Sequence, residues 1–299
     1  MSQAVRLEST IGRGRLAGAR TGGLAQARLR VTGREPMQSV RLLDVRGYAC
    51  RVDEWLPDDA DGNGPTIVLL HGLLGTNEHW SQTARELAQT HRVVSLEVPV
   101  LDLEGRDCSV AGLQTIIEDL IREADIDHAI IAGNSLGGHV AAKLAIERPE
   151  WIVGLILMGA SGLQERATGS EVVTTPSRDW LADRFGVMFH DRHRHMTDAD
   201  LDRAFGLLSD RRKVRAFVRL CRSSRMDGLA EKLACLTMPT LLIWGRNDVV
   251  TPPEAAAGFA RAIPHARIRW IDRCGHAPMI EHPVELAEAI GSFAESLAE

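Results

Sequence analysis

Beyond Arg41 the chain alternates between short, almost continuous apolar runs and longer stretches with apolar residues three and four apart. The runs at 66–72 (TIVLLHG), 92–99 (RVVSLEVP), 128–134 (HAIIAGN), 153–159 (VGLILMG), 240–245 (TLLIWG) and 267–272 (RIRWID) carry too few polar positions for strands with a wet face. Such runs are expected of strands covered on both sides. An earlier strand is expected at 49–55 (ACRVDEW), followed by a turn at 58–65 (DDADGNGP). Between the runs lie helical patterns such as 109–124 (SVAGLQTIIEDLIREA), where Ser109 is placed to cap the first turn. Strands that alternate with helices predict an α/β fold, with a mostly parallel sheet, helices on both faces and right-handed crossovers.

One interval breaks the rhythm. Residues 162–238 contain no buried-strand run, only charged amphipathic sequence. The stretch 197–210 (TDADLDRAFGLLSD) opens on Thr197 as a cap and repeats Leu201, Phe205 and Leu208 at helical spacing. An insertion of that length is too long for a connection. It predicts a helical cap at 162–238 over the carboxyl ends of the strands, where open α/β sheets bind ligands. The core is then 37–161 and 239–299. Residues 1–36 carry seven arginines against Glu8 and Glu35 and have no apolar leader segment, so a disordered extension is expected there.

Composition narrows the function classes. The formal net charge of −5 gives no electrostatic reason to expect nucleic acid or an anionic membrane as partner. No apolar run approaches the roughly 20 residues a bilayer span needs. Cys50, Cys108, Cys221, Cys235 and Cys274 are odd in number, widely spaced and without a CxxC pair. They are expected to be reduced thiols of a cytoplasmic protein rather than a disulfide frame or a zinc site. Three histidines in 190–198 (HDRHRHMTD) alternate with arginines that oppose a cation, so a solvated surface is expected there and no metal site.

The chemistry lies in Gly133-Asn134-Ser135-Leu136-Gly137, at the junction of an apolar run and a helical pattern. Serine is a poor nucleophile without a base to take its proton and donors for the resulting oxyanion. A tight strand–turn–helix presents the hydroxyl, and small residues two before and two after let strand and helix approach. A base and its orienting acid should follow, each on a loop after a strand. Asp248 sits just past the 240–245 run, and His276 just past 267–272 in a glycine-containing loop. The loop after 153–159 is Ala160-Ser161-Gly162 and offers no competing carboxylate.

With these residues in place, the chain resembles an α/β-hydrolase-fold protein from about 41 to 297. LLHGLLGT is similar to the family's oxyanion loop, GNSLGG to its nucleophile elbow, WGRNDVVTP to its acid loop and DRCGHAPMIEHP to its histidine loop. The branch most resembled contains meta-cleavage-product C–C hydrolases, proline iminopeptidases and small carboxylesterases. The resemblance implies a Ser135–His276–Asp248 triad, with the Leu73 and Leu136 N–H groups as oxyanion donors and no metal or cofactor. It departs where 96–110 (LEVPVLDLEGRDCSV) replaces a glycine-rich loop, and where Ala277 follows the histidine in place of the C–C hydrolases' tryptophan. Alignment also sets Ala204, not Arg203, at those enzymes' cap arginine. The expected function is therefore hydrolysis of a small to medium carboxylic ester. Alternatives are C–C bond hydrolysis and a weakly catalytic small-molecule sensor with a protein partner. His71 and His139 are expected to be structural, and Glu281 and His282 to pair locally around the last helix. The apolar residues Trp180, Phe185, Met188, Phe189, Phe205 and Phe217 are expected to divide between cap core and acyl pocket.

Overall fold

A computed structural model describes residues 27–28, 36–57, 64–163 and 177–297. Among the described residues nine strands form one sheet: β1 (Ala27–Arg28), β2 (Met37–Val45), β3 (Tyr48–Leu56), β4 (Ile67–Leu70), β5 (Val93–Glu97), β6 (Ala129–Asn134), β7 (Ile152–Met158), β8 (Thr240–Gly245) and β9 (Arg267–Ile271). Their spatial order is β1-β2-β3-β5-β4-β6-β7-β8-β9. The β1, β2, β3 and β5 pairings are antiparallel; everything from β5 to β9 is parallel. Each expected apolar run supplies one parallel strand. Strand β2 is the addition: its half-exposed residues leave no apolar run to notice, and a reversal at Arg46-Gly47, both at positive φ, returns it against β3. The expected extension at 1–36 lies outside the described residues, apart from Ala27–Arg28, which pair with Val40 and Ser39 at the sheet edge.

The helices are α1 (Ser81–Leu87), α2 (Val110–Glu123), α3 (Leu136–Glu147), α4 (Arg178–Gly186), α5 (Arg192–His195), α6 (Asp198–Ser209), α7 (Arg211–Met226), α8 (Pro253–Ala262), α9 (Pro278–Glu281) and α10 (Pro283–Glu295). Alternate residues of each strand serve opposite layers, as a pleat of period two requires. Val68 and Leu70 of β4 join Ile116 and Leu120 of α2 and Leu144 of α3 on one face. Ile67 and Leu69 join Leu286 and Ile290 of α10, with Trp55 and Trp80, on the other. Burial on both sides is why the strand sequences lack polar positions. The caps form as their sequences suggest: Ser109 Oγ accepts the Gly112 N–H at 3.0 Å, and Thr197 Oγ1 that of Asp200 at 3.1 Å.

Two features of this topology position the site. The connection leaving β4 leads to β5 on one side, whereas β6 lies on the other. The carboxyl ends of β4 and β6 thus flank the crevice where the strand order reverses. Between β7 and β8 the described residues form only the helices α4 to α7 and one short 3-10 turn, with no strand. No helix among the described residues is long and apolar enough to cross a membrane.

Candidate active site

Ser135 stands between β6 and α3 with φ 55° and ψ −117°. A side chain in that region of backbone space costs about 1–3 kcal/mol and persists only where its surroundings hold it. Here the Ser135 N–H donates to the Met158 carbonyl at 2.9 Å, and its own carbonyl accepts the N–H groups of His139 and Ser161 at 3.0 and 3.2 Å. The flanking glycines are required by close approach. A Cβ on Gly133 would run into the carbonyl of Gly137, and one on Gly137 would lie 2.5 Å from the Leu70 carbonyl oxygen.

Asp248 and His276 are brought together by the loops that follow β8 and β9. His276 Nδ1 lies 2.9 Å from Asp248 Oδ2, with both residues about 2 % exposed. The other carboxylate oxygen accepts the N–H groups of Val250 and Thr251, each at 2.9 Å. Thr251 Oγ1 donates to Oδ2 at 2.8 Å. A carboxylate held by that many donors is fixed in orientation. Being an acceptor only, it draws the imidazole proton to Nδ1, and the neutral ring then carries its lone pair on Nε2.

Ser135, His276, Leu73 and Leu136 all line one cavity of about 760 Å³ beneath α6 and α7. Leu136 opens α3 and Leu73 follows β4. Among the described residues neither backbone N–H meets an acceptor. His71 orients the Leu73 loop: its Nε2 accepts the Val98 N–H at 3.3 Å, so Nδ1 donates to the Gly72 carbonyl at 2.7 Å. Burial pushes its pKa down, which keeps the ring neutral for both bonds. Of the six apolar residues expected to be shared, Phe185, Met188, Phe189 and Phe217 line the cavity, whereas Trp180 and Phe205 pack into the surrounding core. Arg203 also reaches the cavity and donates to the Leu74 carbonyl at 3.2 Å, while Ala204 is buried behind it.

Three polar residues matter more than their sequence context suggests. Asn134 Nδ2 donates to the carbonyls of Met158 and His276 at 3.1 and 3.0 Å, tying the elbow to the histidine loop. Thr251 braces the acid, as described above. Glu281 pairs locally, as expected, with Oε1 accepting the Gly275 N–H at 2.8 Å, and it also reaches the inserted segment, where Oε2 accepts the His190 N–H at 2.7 Å. The His276 N–H itself donates to the Met188 carbonyl at 2.7 Å, so the histidine loop is pinned to the inserted segment twice. No local pattern announces the contacts of Glu281 with His190 and of His276 with Met188, which join residues 91 and 88 apart in the chain. His282 does pair locally, with the Arg273 carbonyl at 3.0 Å and with Glu285. Cys274 is fully buried, and burial together with the Glu281 carboxylate raises its thiol pKa far above the ordinary range, so it remains an inert thiol.

Comparison with known proteins agrees with this geometry. The model of the alpha/beta hydrolase family matches residues 67–289, well over half of the chain. The chain belongs to the alpha/beta hydrolase family. Among curated relatives, a pimeloyl-[acyl-carrier protein] methyl ester esterase of Nitrosomonas europaea is 28% identical over 258 residues, covering 79% of this hydrolase and 98% of the relative. A 2-hydroxy-6-oxononadienedioate/2-hydroxy-6-oxononatrienedioate hydrolase of Cupriavidus pinatubonensis is 26% identical over 249 residues, covering 75% and 85%. Among solved structures, an alpha/beta hydrolase from the metagenome of sediments of the Mar Chica lagoon, Morocco, superposes with a TM-score of 0.66 at 27% identity, over 84% of this chain and 96% of that one.

The hydrolase also buries a titratable residue one helical turn after Ser135. His139 is wholly buried on α3, with Nδ1 3.3 Å from Ser224 Oγ and 3.4 Å from Ser161 Oγ. It is the packed residue expected from sequence. Burial, with the Lys143 ammonium adding to it, lowers its pKa to about 4 against the opposing pull of Asp227. Since the folded pKa lies below the unfolded value of about 6.5, the unfolded chain binds the proton first as pH falls. Stability is therefore full above about pH 6.5 and is lost between there and pH 4, by about 3 kcal/mol from this group. Buried His71 and His91 and half-buried His79 shift in the same direction. Urea melts at pH 7 and pH 4.5 should show a marked drop for the wild type and a shallower one for His139→Gln. An equal slope in the variant would assign the acid sensitivity to the other histidines.

Proposed function

We propose that this hydrolase cleaves a carboxylic ester of modest size through a Ser135–His276–Asp248 triad. Ser135 Oγ attacks the ester carbonyl while His276 Nε2 takes its proton; His276 then returns that proton to the departing alcohol. Water, deprotonated by the same nitrogen, cleaves the acyl-enzyme and releases the acid. The Leu73 and Leu136 N–H groups stabilise each oxyanion, and Asp248 holds the imidazole tautomer. The observation that carries this reading is a strained serine sharing a cavity with a histidine whose other nitrogen is bound to a buried carboxylate. Helices α4 to α7 act as the cap, closing an apolar acyl site over the serine. Labelling by a fluorophosphonate probe, followed by turnover of p-nitrophenyl esters of increasing chain length, tests the proposal. Absence of both labelling and turnover in folded protein would refute it and favour the ligand sensor.

Phe217, on the cap side of the cavity, is proposed to set chain length. Replacing it by Ala should lower kcat/KM for an octanoyl ester about tenfold, the worth of one to two buried methylenes, and leave an acetyl ester within about twofold. Uniform loss across the series would assign Phe217 to the fold instead.

A second reading, C–C bond hydrolysis, is supported by one observation. Arg203 faces the cavity although alignment had set Ala204 there, and a guanidinium can hold the carboxylate of a dienoate substrate. Loss of the absorbance of a vinylogous 1,5-diketone acid on incubation with the hydrolase would favour that reading over the ester.

A further inference from the structure

Helix α7 carries Arg211, Arg212, Lys213, Arg215, Arg219, Arg222 and Arg225 and no acidic residue, in a chain whose net charge is −5. The charge is also ordered. Arg211, Arg215, Arg219, Arg222 and Arg225 recur four, four, three and three residues apart, which places them on one face of the helix. All five are exposed, while Ala216, Leu220 and Ser224 of the same helix are buried. Lys213 pairs with Asp102 at 2.7 Å, but among the described residues none of the α7 arginines has a carboxylate partner. Sixteen residues at helical rise make a cationic ridge about 24 Å long.

The ridge runs to the mouth of the cavity. Arg222, Arg225 and Met226 line that cavity, and Met226 is 76 % exposed, the most exposed large apolar side chain among the described residues. Arg219 donates to the Gly105 carbonyl at 2.6 Å and Lys213 is held by Asp102, so the exposed arginines at 211, 215, 222 and 225 are the ones left to meet an outside anion, with the apolar tip of Met226 beside them.

We propose that this face docks on an anionic lipid surface, with α7 lying along the headgroups and the cavity mouth facing the acyl region. The apolar face of α7 packs into the protein, so it is the outward row of arginines that would meet such a surface, each adding about 1 kcal/mol of attraction to anionic headgroups, with Met226 as a shallow apolar contact beside them. Docking there brings an apolar ester from the lipid phase to the cavity without passage through water. The overall negative charge conceals this surface, because the compensating acids lie elsewhere on the molecule.

The test is sedimentation of the full chain with phosphatidylglycerol vesicles and, separately, with phosphatidylcholine vesicles. The expected result is binding to the first and not to the second, lost at about 1 M salt, where the screening length falls to about 3 Å. Arg211→Gln/Arg215→Gln, at positions that do not line the cavity, should weaken vesicle binding about thirtyfold, or about fivefold per cation removed. Its melting temperature and its turnover of a water-soluble acetyl ester should stay unchanged. Equal binding to both vesicle types, undiminished binding by the double variant, or capture by an acidic protein without any vesicle binding would overturn the proposal. Vesicle binding is read without turnover, so this outcome is separate from the fate of the ester reading.

Discussion

Ser135→Ala should yield a folded hydrolase that turns over p-nitrophenyl esters about five orders of magnitude more slowly than the wild type. The change removes one hydroxyl from a solvent-lined cavity wall and leaves intact the backbone bonds that hold the elbow, namely Ser135 N–H to Met158 and His139 and Ser161 to the Ser135 carbonyl. No buried volume is vacated, so the melting temperature should move by no more than a few degrees. What disappears is the nucleophile. The remaining donors and the binding cavity stabilise a transition state only weakly without it, and triad members fail as a unit rather than additively. Fluorophosphonate labelling should vanish with turnover. If purified Ser135→Ala kept wild-type turnover, the mechanism proposed above would be wrong.

Asp248→Asn should cost about four orders of magnitude in kcat, a loss like that of the corresponding change in serine proteases. The local bonding says which way the amide would turn. Val250 and Thr251 both donate backbone N–H groups to Oδ1, so the asparagine oxygen is needed on that side. The NH2 group then faces His276 Nδ1, where Oδ2 now sits at 2.9 Å. An N–H donor at that place selects the tautomer with its proton on Nε2, and the base loses its lone pair toward Ser135. The stability cost should be modest, since the two bonds at Oδ2, from His276 and from the Thr251 hydroxyl, can be reversed and none of the backbone donors is orphaned. Steady-state kinetics with matched thermal melts check this; retention of kcat within about tenfold would make the Asp248–His276 pair a structural contact.

Much of this site was legible locally because its chemistry depends on loops that follow recognisable strands. Each apolar run became a parallel strand, and the residues just past three of those runs are Ser135, Asp248 and His276. Strand β2 escaped notice because its half-exposed residues show neither a continuous apolar run nor clean alternation. For Glu281 the local partner Gly275 was to be expected, but His190, 91 residues away, was not, because only the approach of the inserted segment to the histidine loop joins them. The α7 ridge was hidden by arithmetic: a net charge averages over the chain, while a helix face concentrates whatever recurs at three and four residues.

By itself the sequence determined the α/β alternation, the tight glycine-flanked turn at Ser135 and the order of Ser135, Asp248 and His276 on loops that follow strands. These follow from periodicity and from residues adjacent in the chain, where backbone preference and side-chain chemistry act locally. Tertiary structure alone decided which aromatics of the inserted segment face the cavity, that Arg203 rather than Ala204 reaches it, and that Asn134, Thr251 and Glu281 brace the loops carrying Ser135, Asp248 and His276. Those outcomes depend on how helices rotate and pack on a sheet, and a turn of about 100° per residue sends neighbours such as Arg203 and Ala204 to different environments. A periodic pattern fixes which face of a helix is buried; only the packed molecule fixes what that face meets.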